Sequence, residues 1–190
     1  MILEIVKYGH PALRKKGTRV EAITPEIKKL IADMFETMEE NHGVGLAAQQ
    51  VGVAKQVTVI DIRAVTDRPS TLELDGQPAD PAEIMPLVLI NPEITAVGEP
   101  VTGGEGCLSF PEIFAEISRP GMVDVKALDA AGKTIAFRCG GLLARAAQHE
   151  ADHLNGILFI DRMEKTTKME LQPELDELQA ATKEALKKTK

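Results

Sequence analysis

The 190-residue sequence lacks the features of several broad classes of protein. Its two cysteines, Cys107 and Cys139, are too few for a disulfide framework, which a chain of this length does not need for stability. No apolar run is long enough to span a bilayer. The N-terminal residues have neither the charged leader and apolar segment of a signal peptide nor the composition of a transit peptide. We therefore expect a soluble protein of the cytoplasm that does not associate with membranes.

Basic residues are also fewer than acidic residues. The chain has 22 Lys and Arg against 29 Asp and Glu, which gives a net charge of −7. Proteins that bind duplex nucleic acid neutralise phosphates with Lys and Arg, so this balance argues against specific binding of DNA. The hydrophobic fraction of 44% is ordinary for a globular domain.

Hydrophobic periodicity predicts three helices. Residues 25–40 have apolar side chains at helical spacing, with Thr24 as the N-cap and Pro25 in the first helical position. A second helix is expected from Gly140-Gly141 to Asn155-Gly156, a C-cap pair. Residues 173–188 place apolar side chains on one side of a further helix. The organisation expected is one domain over residues 1–164 and a helical tail over residues 165–190.

Short alternating segments predict strands between these helices. Residues 56–62 are β-branched and alternating, and residues 123–137 contain two such runs around a turn, which is typical of a hairpin. Residues 87–90 form a short apolar strand that Asn91-Pro92 should end. Residues 64–86 hold four prolines and are expected to be a surface excursion. Strands separated from helices in this way predict an α+β fold.

The second helix contains the sequence HEADH, in which His149 and His153 are four residues apart. At 100° per residue both fall on one face, about 6 Å apart along the axis, and this spacing lets two imidazoles hold one metal ion. Glu150 shares the apolar face, whereas Arg145 and Asp152 are expected on the opposite side. Unpaired ionisable groups on a buried face would cost several kcal/mol, so a metal site is favoured over two histidines that make ordinary hydrogen bonds.

A third ligand is needed, and the sequence offers three candidates. A third histidine six residues after His153 is excluded, because that position is Phe159. A glutamate from the polar tail is a second candidate, from Glu170, Glu174 or Glu177. The third is Cys107, which follows glycines that let the backbone approach closely and which offers a thiolate, a strong ligand for iron or zinc. Cys107 is the favoured ligand, and Cys139 is expected to be structural.

Three segments together resemble the peptide deformylase family. They are GVGLAAQQ at residues 43–50, EGCLS at residues 105–109 and QHEADHL at residues 148–154. The opening residues 9–14 are also similar to the family's first motif, and the resemblance covers residues 5–163. It implies an α+β fold in which antiparallel sheets pack around a central metal-binding HExxH helix, with an N-terminal and a C-terminal helix. Residues 1–164 would then be the catalytic domain.

The resemblance also implies a function and a set of site residues. The family removes the N-formyl group from the initiator methionine of new polypeptides and releases formate. One divalent ion, usually Fe²⁺ but replaceable by Zn²⁺, Ni²⁺ or Co²⁺, would be held by Cys107, His149 and His153. Glu150 would be the general acid–base, and the Gln50 side chain and Leu108 N–H would stabilise the oxyanion.

The substrate would be an N-formylmethionyl nascent peptide. The residues expected to bind it are Val44, Gly45, Gly106, Leu142 and Ala146. Gly45 would form a tight wall around the small formyl group, and Val44, Leu142, Ala146 and the His149 ring would form an apolar pocket for the thioether. Nascent sequences vary, so the rest of the peptide should pair through its backbone. A zinc metallopeptidase that uses the same helix is the alternative function. The basic end of the tail suggests the ribosome near the exit tunnel as a partner.

Overall fold

The computed structural model describes residues 1–189 of the chain. Over that range it has three α-helices and nine β-strands. The helices are α1 (Pro25–Glu40), α2 (Gly141–Leu154) and α3 (Lys165–Lys188). The strands are β1 (Gly45–Ala47), β2 (Val57–Ile60), β3 (Ser70–Leu74), β4 (Gln77–Ala79), β5 (Leu87–Ala96), β6 (Pro100–Cys107), β7 (Phe110–Pro120), β8 (Met122–Leu128) and β9 (Thr134–Gly140).

The strands form two antiparallel sheets. Seven of them lie in the order β1-β2-β5-β8-β9-β3-β4, and β6 pairs with β7 in a separate hairpin. The predicted hairpin at residues 123–137 is confirmed as β8 and β9. Helix α2 packs against strands of both sheets. The α+β fold with a central helix, an N-terminal helix and a C-terminal helix is therefore confirmed.

Local signals explain where the first two helices begin. The Thr24 hydroxyl accepts a hydrogen bond from the Ile27 N–H at 3.3 Å, so α1 starts at Pro25 as predicted. Helix α2 starts at Gly141, whose φ is +67°. A Cβ at Gly141 would lie 2.1 Å from the Pro69 carbonyl oxygen, so only glycine lets the helix begin against β3.

Helix α2 is buried on almost every side. Residues 142–147 are all buried, as are His149, Glu150 and His153. Its apolar residues pack between the seven-stranded sheet and the β6–β7 hairpin. A helix enclosed in this way holds polar groups in the interior only where other elements supply partners for them.

Two predictions about strands are wrong. Residues 64–86 are not only a surface excursion, because β3 and β4 lie within them and β3 pairs with β9. Leu72 of β3 is 2% exposed, which shows why this segment joins the core. The strand predicted to end at Asn91 continues to Ala96, because Asn91 adopts φ +52° and the ladder resumes after a change of register. The Asn91 side chain is held by hydrogen bonds of 2.9 Å to both backbone groups of Val20.

The C-terminal helix begins at Lys165, the first residue of the predicted helical tail. It extends beyond the apolar stretch at residues 173–188, and Pro173 lies inside it. Leu175 is buried in an apolar cluster with Leu13 and Phe159, and this contact holds α3 against the rest of the fold. Lys190, the last residue of the predicted tail, lies outside the described residues. Over residues 1–189, no helix combines the length and the apolar character that a membrane span requires.

Candidate active site

Two elements bring the predicted ligands together. Helix α2 carries His149 and His153, and their ring centroids are 5.0 Å apart. Cys107 is the last residue of β6, at a change of register between the two strands of the hairpin. Its Sγ lies 3.3 Å from His153 Nε2, and the ligand atoms of the three residues all lie within 4.8 Å of one another. The alternative ligands Glu170, Glu174 and Glu177 are exposed on α3 and are not part of this group.

A buried carboxylate orients the first histidine. Glu105 Oε1 lies 2.9 Å from His149 Nδ1, which leaves Nε2 of the ring free to bind a ligand. Arg119 contacts both oxygens of Glu105 at 2.6 and 2.9 Å, and Arg145 donates to Oε2 at 2.7 Å. Burial would raise the pKa of Glu105, but the hydrogen bonds from His149 and Arg119 hold it well below its ordinary value.

The network around Glu105 extends to the outer side of α2. Arg119 Nη1 donates to Asp152 Oδ2 at 2.8 Å. Arg162 makes two further bonds to the Asp152 carboxylate, at 2.8 and 3.1 Å. Arg145 lies on the same side of α2 as Asp152, as the helical spacing predicts, and it is only 8% exposed because the β6–β7 hairpin covers that side.

Glu150 lies beside the metal-ligand group with part of its carboxylate unpartnered. It is 4% exposed, and among residues 1–189 its Oε2 has no hydrogen-bond partner. A Cβ on Gly45 would lie 2.5 Å from Oε1, so the absence of a side chain at Gly45 makes room for this group. Burial raises the pKa of Glu150 to about 7.

Gln50 and Leu108 are near Cys107 and are held by the N-terminal segment. Gln50 Nε2 lies 3.5 Å from Cys107 Sγ and 3.3 Å from Ser109 Oγ, and its Oε1 accepts the Ala47 N–H at 2.9 Å. Lys7 Nζ donates to the Leu108 carbonyl at 3.1 Å. The backbone N–H groups on either side of Lys7 bind the carbonyls of residues 50 and 109 at 2.9 and 3.0 Å. These contacts fix both groups relative to the metal ligands.

A cleft of about 530 Å³ opens onto this group. Its lining includes every residue predicted to bind substrate, namely Val44, Gly45, Gly106, Leu142 and Ala146. Glu150, Gln50 and Cys107 line it as well. Phe114, which is 72% exposed, lies on the rim against Gly106, where a Cβ would be 2.7 Å from the phenyl ring.

The residues fit a divalent metal ion. Two imidazoles and a thiolate suit iron or zinc, and three protein ligands with an open position are typical of catalytic sites. The surroundings also favour positive charge. Burial alone would lower the pKa of His149, yet the bonds to Cys107 and Glu105 raise it to about 10. Burial and the neighbouring His149 charge lower the pKa of His153, which keeps that ring neutral.

Sequence reasoning missed two residues of the site. The role of Glu105 was not predicted, although a strand over residues 100–107 would have placed its side chain near Cys107. The glycines of residues 100–107 weaken the strand pattern, so no strand was predicted there. The burial of Arg145 was not predicted, and nothing in the sequence indicates its contacts with β6. By contrast, Cys139 is buried and unpaired within residues 1–189, and burial raises the pKa of its thiol to about 12, as expected for a structural cysteine.

The fold and the donor set define a metal-dependent hydrolase built on an HExxH helix. Comparison with known proteins gives the family: the model of the polypeptide deformylases matches residues 2–169, and the chain belongs to that family. The peptide deformylase of Opitutus terrae is 43% identical over 189 residues, 98% of each chain. Peptide deformylase of Methylacidiphilum infernorum is 43% identical over 178 residues, 94% of this chain and 93% of the relative.

Solved structures agree with this assignment. The crystal structure of Arabidopsis thaliana peptide deformylase 1B in complex with an inhibitor has a TM-score of 0.82 and 36% identity, and covers 96% of this chain and 93% of its own. A peptide deformylase from Legionella pneumophila has a TM-score of 0.78 and 35% identity, covering 95% and 97%. The chain is therefore a metal-dependent hydrolase of the family that removes N-terminal formyl groups from new polypeptides. The zinc metallopeptidase alternative is not favoured.

Proposed function

We propose that this chain hydrolyses the formyl amide of N-formylmethionyl peptides with Glu150 as the general acid–base. The observation that carries the proposal is the unpartnered carboxylate oxygen of Glu150, buried beside Cys107, His149 and His153 and facing the cleft. Glu150 takes the proton of the attacking water and delivers it to the nitrogen of the departing methionyl amine. A pKa raised toward 7 by burial suits a group that must both accept and return a proton.

We propose that Cys107, His149 and His153 hold the divalent ion. When bound there, the ion supplies the Lewis acidity that makes water nucleophilic near neutral pH. Glu105 keeps His149 in one orientation through the 2.9 Å contact to Nδ1. The native ion proposed is Fe²⁺, with Zn²⁺, Ni²⁺ and Co²⁺ as substitutes. Raw affinity favours zinc over iron, so the metal found in a purified sample reflects its preparation. We expect the iron form, prepared without oxygen, to be more active than the zinc form and to decay in air, because Cys107 beside an open position can be oxidised.

Two donors are proposed to stabilise the oxyanion that forms as water adds to the formyl carbon. They are the Gln50 side-chain amide and the Leu108 backbone N–H. The Gln50 Oε1 bond to Ala47 fixes the amide so that its NH₂ group points toward Cys107. The hydrogen bond from Lys7 to the Leu108 carbonyl fixes the position of Leu108, whose backbone N–H is the second donor. Donors fixed before the reaction need no reorganisation as charge develops.

The cleft is proposed to bind the formyl group and the methionine side chain separately. Gly45 and Glu150 are in close contact, and they are proposed to form a wall that admits a formyl hydrogen but excludes a larger acyl group. Leu142 and Ala146 are buried residues of α2 that line the cleft and offer apolar surface for the thioether. Val44 and Gly106 lie in the segments proposed to pair with the peptide backbone.

The test is formate release from a formyl-Met peptide by Glu150→Gln. Glutamine keeps the size of the side chain and the three ligands but cannot take a proton. We expect unchanged metal content and a fall in kcat of well over about 100-fold. Glu112→Gln, on the rim of the cleft, is a matched control for the loss of one carboxylate. Near-normal kcat in a metal-replete Glu150→Gln would contradict the assignment, and cleavage of unformylated peptides by the natural protein would favour a peptidase.

We also propose a cytoplasmic location and contact with the ribosome through the end of α3. Lys183, Lys187 and Lys188 are exposed there on a chain whose net charge is −7. Positive charge of this kind is drawn to ribosomal RNA in a salt-dependent manner. Replacing the three lysines by glutamate should reduce co-sedimentation with ribosomes at low salt without altering the buried Leu175. Equal co-sedimentation of both forms would contradict this contact.

A further inference from the structure

Ser109 is a buried serine beside the proposed oxyanion donors. It is 0% exposed, and with Leu108 it forms the turn that joins Cys107 of β6 to Phe110 of β7. A buried hydroxyl without a hydrogen bond lowers the stability of a fold, so the partner of Ser109 indicates what the hydroxyl does. Its Oγ accepts a hydrogen bond from Gln50 Nε2 at 3.3 Å.

The Gln50 amide is held at both of its ends. Oε1 accepts the Ala47 N–H at 2.9 Å, and this contact decides which end of the amide is oxygen and which is nitrogen. Nε2 carries two N–H groups, which lie in the plane of the amide. With one of them donated to Ser109 Oγ, the other is left for the side of Cys107, whose Sγ is 3.5 Å from Nε2.

The plane of this amide needs the second of these anchors. The last torsion of a glutamine side chain has a broad energy minimum, so an amide held only at its oxygen still pivots about that atom. The hydrogen bond to Ser109 restrains the pivot because it holds the nitrogen as well. The plane of the amide in turn decides where the second N–H of Gln50 points.

The N-terminal segment fixes the position of Gln50 relative to Ser109. The Val6 N–H donates to the Gln50 carbonyl at 2.9 Å. Two residues further along, the Tyr8 N–H donates to the Ser109 carbonyl at 3.0 Å. Both residues that make the side-chain hydrogen bond are therefore attached to the same short stretch of backbone, and Gln50 is only 2% exposed although it lines the cleft.

We propose that Ser109 is a positioning residue for the hydrolysis: its hydroxyl holds the Gln50 amide in the plane that directs one N–H group at the developing oxyanion. This inference rests on the proposed role of Gln50 as an oxyanion donor. Ser109 is buried and does not itself line the cleft, so it acts on the substrate through the amide of Gln50.

A double-mutant cycle tests whether Ser109 acts through Gln50. Gln50→Met keeps the length of the side chain but removes the donor, and loss of one oxyanion donor lowers kcat about 100- to 1000-fold. Ser109→Ala should lower kcat and kcat/KM for a formyl-Met peptide by the same factor, about tenfold, because the weakened interaction is made only in the transition state. Ser109→Gly, which also lacks the hydroxyl, is used in case the alanine variant does not fold.

The decisive comparison is the effect of the serine change in the two backgrounds. In Gln50→Met, Ser109→Ala should alter kcat by less than about twofold, because the amide that the hydroxyl positions is already gone. The same loss of about tenfold in both backgrounds would overturn the proposal, since Ser109 would then act independently of Gln50. An unchanged kcat in Ser109→Ala alone would overturn it as well.

Lys7→Met is the matched control for this cycle. Lys7 Nζ donates to the carbonyl of Leu108 in the same turn, at 3.1 Å, so it supports the second proposed donor and not Gln50. Its effect on kcat should therefore be equal in the natural and the Gln50→Met backgrounds. If the effects of Lys7→Met and Ser109→Ala disappear together in Gln50→Met, the turn acts as a whole and the specific role of Ser109 is overturned.

Nuclear magnetic resonance tests the contact without turnover. The two side-chain amide protons of Gln50 give a pair of signals in isotope-labelled, zinc-loaded protein, identified by their absence from Gln50→Met. We expect the pair to shift or broaden in Ser109→Ala and to stay in place in Lys7→Met. An unchanged pair in Ser109→Ala would refute the proposal. Formate release by the natural protein tests the proposed function itself, so failure of that function is distinguishable from failure of this role for Ser109.

Discussion

A methyl group on Gly45 is expected to displace the Glu150 carboxylate. In the structure, a Cβ at Gly45 would lie 2.5 Å from Glu150 Oε1 and 2.9 Å from both Cδ and Cγ. Real Cβ atoms essentially never approach a heavy atom within 3.0 Å, and ordinary contact begins near 3.4 Å. The oxygen must therefore move by about 0.5 Å, the difference between 3.0 and 2.5 Å, and by about 0.9 Å to reach ordinary contact.

This shift is large enough to affect catalysis more than folding. A misplacement of about 1 Å in an active site can lower a rate about 100-fold, whereas an extra methyl group in a packed interior costs about 1–3 kcal/mol in unfolding free energy. We therefore expect Gly45→Ala to fold, to bind metal and to lose about 100-fold in kcat. The assay is formate release from a formyl-Met peptide, with metal content measured on the same sample.

Gly104→Ala is the matched control. It adds the same methyl group to another glycine of the cleft, but there the nearest heavy atom is Glu116 Oε1 at 3.7 Å. Most of the kcat should remain in this variant. Normal kcat in a metal-replete Gly45→Ala would refute the reasoning, because it would show that the position of the Glu150 carboxylate does not limit the reaction.

Two further predictions concern the groups around the metal ligands. Asp152→Ala removes a partner of the buried Arg119. We expect it to lower the unfolding free energy by about 1–3 kcal/mol and to weaken metal affinity about tenfold, with partial recovery in Asp152→Asn. A melting temperature and a metal affinity equal to those of the natural protein would contradict this role. In protein stripped of metal, the Glu150 pKa of about 7 lies above its ordinary value of 4.5. Between these pH values the folded state therefore binds more protons than the unfolded state does, and the unfolding free energy should fall as pH rises through the interval. Glu150→Gln should show a smaller fall, because only the Glu150 contribution is removed, and thermal unfolding at pH 4.5 and pH 8 measures the difference.

Local patterns determined the elements whose residues interact within one segment. The N-cap and apolar spacing of α1 are contained in adjacent residues, and the helix predicted from about Pro25 to about Glu40 is confirmed. The same holds for the β8–β9 hairpin, in which two alternating runs flank a turn. The HEADH spacing placed His149 and His153 on one face because helix geometry alone decides that relation.

Segments with weak local signals became ordered through packing. Residues 64–86 contain four prolines, yet β3 joins the sheet because β9 offers it an edge and Leu72 finds a place in the core. Helix α3 passes through Pro173 because Leu175 packs against the domain. In both cases the free energy of burial outweighs local propensity, and that contribution depends on neighbours distant in sequence.

The sequence by itself determined the class of chemistry, since two histidines and a glutamate on one helical face, with a glycine-flanked cysteine elsewhere, have few other uses. Only the tertiary structure decided how that chemistry is held. The pairing of Glu105 with His149 joins residues 44 positions apart, and the bond from Arg145 to Glu105 joins residues 40 positions apart. Helical periodicity gives the side of α2 on which Arg145 lies but not its burial, because α2 is enclosed by both sheets. The side chains of a buried helix are oriented by the hydrogen-bond acceptors that the surrounding strands present. The spacing of residues along the sequence carries no information about those acceptors.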